Sequence, residues 1–372
     1  MKYIFILIIA FILNTITVNT AFQTSIFSEV NLDNEGKNVI VSPLSIYQVL
    51  GLTTNGAVDE TQSEMLTALE ETSLDDVNNV NLKIMRTIKE FVSVELANGV
   101  MSTFEPIQSF VKVCDKYEAP IEQLISKAQV NDWCSKKTHG KITEILDELN
   151  PATVMLLLNA VYFRGEWVYP FNPEKTYKGT FYNLGKTEKA VEMMTQTHEF
   201  NYYQDSDIQA IELPYKNDSM SAVLLFPTKK GDLNTYINQY NINDEYIHKI
   251  LDGMVETPIR LDLPKFEVEF YSKLKDVLKR LGMVIPFEGD ADFSGINGSG
   301  GLYIDDVIHK TYLKVDEIGS EAAGITIVDI RTNSTTIPNI KMNINRPFIM
   351  IIKSKELPEN NDFLFMAKIE EI

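Results

Sequence analysis

The chain has few cysteines and histidines for its length. Its 372 residues include 2 cysteines and 4 histidines. Cys114 and Cys134 cannot build the dense disulfide framework of a small secreted scaffold, and they lack the C-x-x-C spacing typical of zinc sites. We therefore expect no metal site. The pattern favours two buried free thiols, and one bridge between them is the alternative.

The sequence also lacks the local motifs of common enzyme classes. No HExxH, GxSxG, GDSGG or GxxxxGK[ST] segment occurs, and no GxGxxG follows a predicted strand. The four histidines all lie outside such motifs: His139, His198, His248 and His309. The glycine-rich stretch at 288–301 is not followed by a helix that would bind phosphate. We expect no enzymatic activity and no cofactor.

Positive charge is scarce. The chain has 34 Lys and Arg against 52 Asp and Glu, a formal net charge of −18. Binding to phosphates depends on clustered cations, so this balance argues against nucleic-acid and anionic-membrane partners. Lys83, Arg86 and Lys89 share one face of a predicted helix. We interpret that face as solvated surface, with a weak polyanion site as the alternative.

The N-terminus carries an apolar run too short to span a membrane. Ten apolar residues, 4–13, follow one lysine and precede a polar stretch, whereas a membrane helix needs about 20. This order is typical of a secretory signal. We predict a signal peptide at 1–17, one domain at 18–372, and export to the extracellular space. A buried helix that is not cleaved is the alternative.

Helix signals dominate the first 150 residues and strand signals the last 220, which predicts an α+β fold. Ser42-Pro43 caps one helix, and two more are predicted at Glu60–Leu69 and Lys273–Leu281. Strands are predicted at Met155–Phe163, Ala222–Phe226, Ile259–Phe266, Phe348–Ile352 and Phe363–Ile369. No linker rich in Gly, Pro or Ser divides the chain, so we expect a single domain. Three N-glycosylation sequons begin at Asn217, Asn297 and Asn333.

From about Asn19 to the C-terminus the chain resembles the serpin family. The resemblance is carried by segments in the expected order: NVIVSPLSIYQVL at 38–50, LNAVYFRGEW at 158–167, IELPYKNDSMSAVLLFP at 211–227, LDLPKFEVEF at 261–270, LKRLGMVIPFEGDADFSGI at 278–296, IHKTYLKVDEIGSEAAG at 308–324, NRPFIMII at 345–352 and FLFMAKI at 363–369. It implies three β-sheets, eight or nine helices and an exposed reactive loop at about 317–338.

In inhibitory serpins a protease cleaves that loop and is trapped as an acyl-enzyme while the cut loop inserts into the main sheet. The resemblance thus implies a covalent complex with a target protease, and we expect a monomer. Residues 70–95 are short for the family's fourth helix, which argues against a heparin-type cofactor. Ser42, Ser45, Asn159 and His309 match the family's buried polar cluster beneath the opening of the main sheet, the shutter network.

The loop has a two-faced pattern. A strand that enters a sheet must bury every second side chain, and one alternating set holds no charge: Ser320, Ala322, Gly324, Thr326, Val328 and Ile330. Glycines and alanines weaken a resident strand, so we favour a segment that inserts later over an ordinary edge strand. The predicted hinge is Glu317, Gly319, Ser320, Glu321, Ala322 and Ala323. Compared with the family, Ile318, Ile325 and Ile327 are bulkier than is usual at outward positions of the loop.

Counting fifteen residues from Gly319 predicts cleavage between Asn333 and Ser334, with Arg331-Thr332 as the rival bond. Asparagine suits a chymotrypsin-like or cathepsin-like serine protease, or an Asn-cleaving cysteine protease, whereas Arg331 suits a trypsin-like one. The chain is thus predicted to be a secreted suicide inhibitor of a serine protease. The alternatives are inhibition of an Asn-cleaving cysteine protease and a non-inhibitory binding or chaperone serpin.

Overall fold

The computed structural model describes residues 21–216, 219–229, 233–240, 242–320, 340–358 and 360–372. The predicted signal peptide, the sequon residue Asn217 and residues 321–339 of the loop lie outside the described residues. None of the helices that are described is long and apolar enough to cross a membrane.

Ten α-helices are described, and three of them are near the predicted positions. Their bounds are α1 Phe22–Leu32, α2 Pro43–Thr54, α3 Asp59–Ala68, α4 Leu74–Glu90, α5 Gln108–Lys116, α6 Lys127–Lys137, α7 Leu233–Tyr240, α8 Asp244–Asp252, α9 Lys275–Arg280 and α10 Ser294–Asn297. Short 3-10 turns cover Pro173–Lys175 and Ile285–Phe287.

Helix α2 begins as its sequence predicts. The Ser42 hydroxyl accepts a hydrogen bond from the Ser45 backbone N–H at 3.3 Å, and Pro43 occupies the first helical position. A serine cap satisfies one of the free amides at a helix start, and proline loses nothing there because that N–H has no helical partner. Nearly the whole of α2 is buried, so its start is fixed inside the molecule.

Sixteen strands are described. They are β1 Val39–Val41, β2 Val94–Ser102, β3 Ile121–Gln123, β4 Met155–Phe163, β5 Gly165–Glu166, β6 Tyr177–Asn183, β7 Thr187–Gln204, β8 Ile208–Pro214, β9 Met220–Pro227, β10 Val255–Pro264, β11 Phe266–Lys273, β12 Ile308–Val315, β13 Gly319–Ser320, β14 Ile340–Asn343, β15 Phe348–Ser354 and β16 Phe363–Ile369. Those predicted at Met155–Phe163 and Phe363–Ile369 have the predicted bounds.

One strand prediction is wrong. Residues 259–266 do not form a single strand, because β10 ends at Pro264 and β11 begins at Phe266 in a different sheet. Pro264 has no N–H to continue a ladder, and the Lys265 N–H donates to the Glu192 carbonyl instead, at 2.8 Å. Both halves of this run alternate and together they predict one strand, but the apolar positions change from odd to even numbers between Leu263 and Phe266, where the chain passes between sheets.

The strands form three sheets, which confirms the predicted α+β fold. A nine-stranded sheet has the order β1-β16-β15-β9-β8-β7-β10-β14, with β6 paired to β7. The other two sheets are β11-β12-β13-β5 and β3-β2-β4. Of these ladders, β10 with β14 and β2 with β3 are parallel, and the remainder are antiparallel.

Two groups of apolar side chains pack in the interior. The main core joins the nine-stranded sheet to α1, α2 and α4, and it extends to Cys114. A smaller group, here called the second apolar cluster, lies between β2, β4 and α6. Its members are Met101, Leu124, Val130 and Leu146, with Trp133, Ile145, Leu149, Leu156, Leu158 and Ile308 packed against them. Cys114 and Cys134 are free and buried, as the sequence favours.

Candidate functional site

The two smaller sheets face each other across a gap. The edge of β4 is turned toward β12, yet no ladder joins these two strands among the described residues. A cavity of about 680 Å³ separates them and is lined by both. We call this gap between 155–163 and 308–315 the slot. An unpaired strand edge is a template for a further strand, and here two such edges face one another.

The strand edge on one side of the slot is apolar but incompletely covered. Residues 155–159 of β4 are all only half-buried although four of the five are Met or Leu. Burial of such side chains normally stabilises a fold by about 1.5–3 kcal/mol each. A part of the hydrophobic free energy that these side chains could contribute is therefore not gained while the slot is open.

The start of a new strand already occupies one end of the slot. Strand β13 follows β12 and pairs with it antiparallel, with Ser320 opposite Val315. On its other side β13 pairs antiparallel with β5, so that Gly319 faces Glu166 and Ser320 faces Gly165. Because β5 directly continues β4 along the chain, β13 lies in the position of a strand between β12 and β4.

The turn into β13 is fixed by close backbone contacts. Asp316 accepts from the Ile318 N–H at 3.0 Å, and its own N–H donates to the Gly319 carbonyl at 2.9 Å. A Cβ added to Gly319 would lie 1.8 Å from the Gly165 carbonyl oxygen. Glycine is thus required at 319 by steric approach, whereas from the sequence it is interpreted as a hinge residue that weakens a resident strand.

Glu317 anchors the same turn with its side chain. The Thr176 hydroxyl donates to this carboxylate at 2.8 Å, and the Lys265 ammonium lies 2.9 Å from it. Burial opposes its ionisation, but the lysine and the hydroxyl outweigh burial and hold the pKa of Glu317 below its usual value. The ion pair ties the entrance of the slot to the junction between β10 and β11.

Two stacked rings cover Ser320. Trp167 and Tyr215 stack with centroids 4.5 Å apart and an interplanar angle of 14°. The Tyr215 and Ser320 hydroxyls are 2.7 Å apart, and the Trp167 indole N–H donates to the Asp316 carbonyl at 3.1 Å. Burial raises the pKa of Tyr215 far above its usual value, so its hydroxyl stays protonated. A small polar residue at 320 fits this arrangement.

The first turn of α2 lies beneath the slot and contacts both of its walls. The Ser42 backbone N–H donates to Nε2 of His309 on β12 at 3.0 Å. Burial lowers the pKa of His309 to about 4, so Nε2 is unprotonated and able to accept. From the same turn, the Ser45 hydroxyl donates to Oδ1 of Asn159 on β4. One helix start thus binds the two strands that the slot separates.

The structure brings the four predicted shutter residues together, with one difference. His309 accepts from the backbone N–H of Ser42, whereas the partners expected for it were the side-chain hydroxyls and the amide of this cluster. Asn159 also donates to Oδ1 of Asn98 at 2.7 Å, and Asn98 donates to the Tyr117 carbonyl at 2.8 Å. Asn98, in β2, is buried and was not among the predicted residues.

Other residues of the site were also missed in the sequence. Lys265, Trp167 and Tyr215 lie 52 to 150 residues from Glu317 along the chain, so no local pattern joins them to it. Lys265 carried one weak signal, because it lies where the apolar positions of the alternation change from odd to even numbers. Gly165 carried another, a glycine two residues after the end of the predicted strand at Met155–Phe163.

Most of the predicted loop cannot be placed. The residues that lie outside the described part are Glu321, Ala322, Ala323, Gly324, Thr326, Val328, Ile330, Arg331, Thr332, Asn333 and Ser334. Of the sequons, Asn297 is described and half-buried, and its Nδ2 donates to the Gly300 carbonyl at 2.9 Å. A glycan on this nitrogen would remove that hydrogen bond.

Comparison with known proteins gives one consistent family. A family model described as Serpin (serine protease inhibitor) matches residues 17–372. Intracellular coagulation inhibitor 2 of Tachypleus tridentatus is 33% identical over 361 residues, which cover 91% of this chain and 87% of that protein. The match extends over the slot, the turn at Asp316 and the loop together.

Solved structures share the fold. The thermophilic serpin tengpin in its native state has a TM-score of 0.84 and 30% identity, covering 95% of this chain and 92% of its own. Human thyroxine-binding globulin complexed with thyroxine has a TM-score of 0.84 at 24% identity, covering 95% and 97%. The second likeness concerns the fold alone.

Proposed function

Because the chain belongs to the serpin family, we propose that it is a suicide-substrate inhibitor of a serine protease. In this proposal the protease cleaves the loop after 320 and forms an acyl-enzyme with the new carboxyl end. The cut loop then enters the slot as a strand and carries the attached protease with it. The chain acts as a substrate that is never released, and it catalyses nothing itself.

The observation that carries the proposal is the position of β13 at one end of the open slot. In an antiparallel pair, each further residue faces one residue earlier in the partner strand. Continued without a bulge, the pairing of Ser320 with Val315 brings Thr326 opposite His309. The independent pairing of Ser320 with Gly165 brings Thr326 opposite Asn159. Both walls thus assign the same loop residue to the shutter network.

The predicted inward set agrees with this register. Ser320 is buried on the same face as Val315 and Leu313, so every second residue after it would face the main core. Small or apolar groups there satisfy the requirement for burial. The two larger aliphatic side chains of this set, Val328 and Ile330, contribute about 1.5–3 kcal/mol each. With net ~1 kcal/mol per ladder hydrogen bond, insertion gives on the order of 10 kcal/mol before ordering entropy.

We assign the reactive bond to Asn333-Ser334, as the count from Gly319 predicts. The test is a panel of chymotrypsin-like, cathepsin-like and trypsin-like serine proteases, examined for a complex that survives boiling in SDS. Mass spectrometry of the released C-terminal peptide then gives its first residue. A peptide that starts at Ser334 supports the assignment, whereas one that starts at Thr332 moves the bond to Arg331.

Matched variants sharpen that test. Asn333→Ala should slow the reaction with the responsive protease by about tenfold or more if Asn333 fills its specificity pocket, whereas Arg331→Ala should leave it nearly unchanged. The reverse ranking would identify Arg331 as the specificity residue. Complete glycosylation of Asn333 in the active protein, seen by intact mass, would contradict inhibition at this bond.

Asn333 itself favours a second candidate, inhibition of an Asn-cleaving cysteine protease through the same loop. Incubation with such a protease separates the two, because a lasting complex there and none with the serine proteases would replace the first candidate. A non-inhibitory binding or chaperone role, the other alternative from the sequence, predicts a loop that is cut without any rise in melting temperature.

Secretion is a part of this proposal and rests on the apolar run at 4–13. One curated relative carries the word intracellular in its name, so the compartment needs its own measurement. Expression with the native N-terminus in a eukaryotic host should deliver protein to the medium, with a mature N-terminus near residue 18. Retention in the cell with Met1 still present would contradict export.

A further inference from the structure

The outer wall of the slot contains an apolar surface that is only partly covered. Leu156 and Leu158 of β4 and Ile308 of β12 belong to the second apolar cluster and are all half-buried. They point away from the main core, because the intervening Leu157 and the neighbouring His309 face the opposite side. The two strands therefore present apolar groups outward from both sides of a gap.

A roof closes over this surface. Helix α6 contributes Trp133, and the segment that follows α6 contributes Ile145 and Leu149. Asn131 holds that segment in place, since its Oδ1 accepts from the Ile145 and Leu146 N–H groups at 3.0 and 2.9 Å. The roof is also bound to the slot wall, where the Lys310 ammonium donates to the Glu144 carbonyl at 2.8 Å. The space beneath it is part of the cavity of the slot and is lined by Trp133, Ile145 and Leu149 together with polar groups.

The register of β13 identifies which part of the chain would fill this space. The pairing that brings Thr326 opposite His309 brings Ile327 opposite Ile308, and on the other wall opposite Leu158. Directly opposite residues in an antiparallel pair lie on the same face. By the same count Ile325 falls between Lys310 and Ala160. Ile325 and Ile327 are two of the isoleucines whose size is unusual for outward positions of the loop.

We propose that, once the loop is cut, Ile325 and Ile327 dock under α6 and complete the second apolar cluster. This inference rests on the proposed function and extends it to the outer face of the inserted strand. The occupant is a segment of the chain itself, attached at Ser320 and long enough to reach, since seven extended residues span about 23 Å. The outward face would thus stabilise the inserted state together with the inward face.

The test compares substitutions of isoleucine by the smaller, polar but still β-branched threonine in the intact and cut protein. Ile327→Thr and Ile325→Thr keep the β-branched shape and remove apolar surface. Ile337→Thr makes the same change beyond the reactive bond, on the side that does not insert, and is the matched control. Cleavage by a protease that cuts the loop without being trapped, followed by calorimetry, gives the melting temperature of both forms.

We expect all three variants to melt like the parent before cleavage. After cleavage, Ile327→Thr should melt about 3–6 °C lower than the cut parent and Ile325→Thr somewhat less lowered, because 1–2 kcal/mol shifts Tm by roughly 2–4 °C per kcal/mol in domains of 150–250 residues. Ile337→Thr should not differ. Equal Tm values for the cut parent and cut Ile327→Thr would overturn the proposal.

A double-mutant comparison locates the contact. Leu158→Ala should lower the Tm of the cut protein less in an Ile327→Thr background than in the parent, since the pair would share one contact. Full additivity would show that Ile327 lies elsewhere. A cut parent that gains no stability at all would refute the proposed function instead, so the two failures are distinguishable.

Discussion

Two apolar strand regions of this molecule differ in burial and in whether both strand edges are paired. Strands β9 and β15 in the nine-stranded sheet are paired on both edges and almost wholly buried. Strand β4 has a comparable apolar sequence, yet it is half-buried and lacks a partner on the slot side among the described residues. Their side chains hardly differ in kind. The difference lies in the neighbours that the fold supplies.

This contrast shows how one protein can hold a large free energy in reserve. A finished sheet has nothing more to gain, whereas an open one gains apolar burial and a ladder when a strand arrives. If the strand must first be cut free, the intact fold is kinetically trapped. The Glu317–Lys265 ion pair and the hydrogen bonds of the shutter network then determine how stable the open form is.

The difference between β4 and β9 should disappear when the cut loop pairs with β4, and this is the largest effect we expect. Cleavage of the loop should raise the melting temperature by on the order of 20 °C, given ~10 kcal/mol and about 2 °C per kcal/mol for a chain of this size. Hydrogen exchange should slow at residues 155–161 and leave β9 unchanged. Fast exchange in β4 after cleavage, with no gain in Tm, would contradict the mechanism.

A charged residue on the inward face of the loop should prevent insertion, so that β4 keeps its unpaired edge. Thr326→Glu would bury a carboxylate beside His309 and Asn159, which is strongly unfavourable without a cationic partner. We expect the variant to be cleaved as a substrate and to form at least tenfold less SDS-stable complex. Ala323→Glu puts the same charge on the outward face, which already carries Glu321, and should retain most of the complex.

The contribution of His309, which lies beneath the slot, to the stability of the fold should depend on pH. His309 is neutral in the fold, with its pKa lowered from 6.5 to about 4 by burial, while an unfolded histidine takes a proton near pH 6.5. Its contribution is therefore complete above pH 6.5 and is lost as the pH falls toward 4, by about 3 kcal/mol at 1.36 kcal/mol per pKa unit. Tm should fall accordingly in the parent.

The control for this pH effect is His309→Gln, whose amide oxygen is able to accept from Ser42 without titrating. Burial raises the pKa of Asp244 to about 6, which stabilises the fold as the pH falls, and this contribution is common to both proteins. The difference in Tm between parent and variant should thus change between pH 7 and pH 4. A constant difference would contradict the assignment to His309.

Removal of the ion pair between Glu317 and Lys265, at the turn into β13, should have the smallest effect on stability. Glu317→Gln removes the ion pair with Lys265, and we expect a loss of about 1–2 kcal/mol at pH 7 because the pair is only partly buried. The pKa of Glu317 is held below its usual value, so its contribution is present above about pH 4.5 and lost as the pH falls through the folded pKa. Parent and variant should therefore converge in acid, as measured by thermal unfolding.

Local patterns sufficed for much of the fold. The serine cap and proline predicted the start of α2, and short apolar runs predicted β4 and β16 with their bounds, because such signals depend on a few neighbouring residues. The strand prediction failed at Lys265, where alternation continues on both sides of a one-residue change of phase and the chain crosses from one sheet to another. Local signals also could not separate β4 from β9, since a strand's own sequence does not record whether it has a partner.

Of the candidate site, the sequence by itself determined the alternation of the loop, which is a property of a short segment and follows from which side chains tolerate burial. The shutter residues were implied by the resemblance to the serpin family. Only the tertiary structure decided that α2 bridges the two walls of the slot, that Lys265 pairs with Glu317, and that Gly319 is required by the Gly165 carbonyl. These contacts join residues 52 to 267 positions apart along the chain, and no local pattern encodes such distances because they depend on how whole sheets pack.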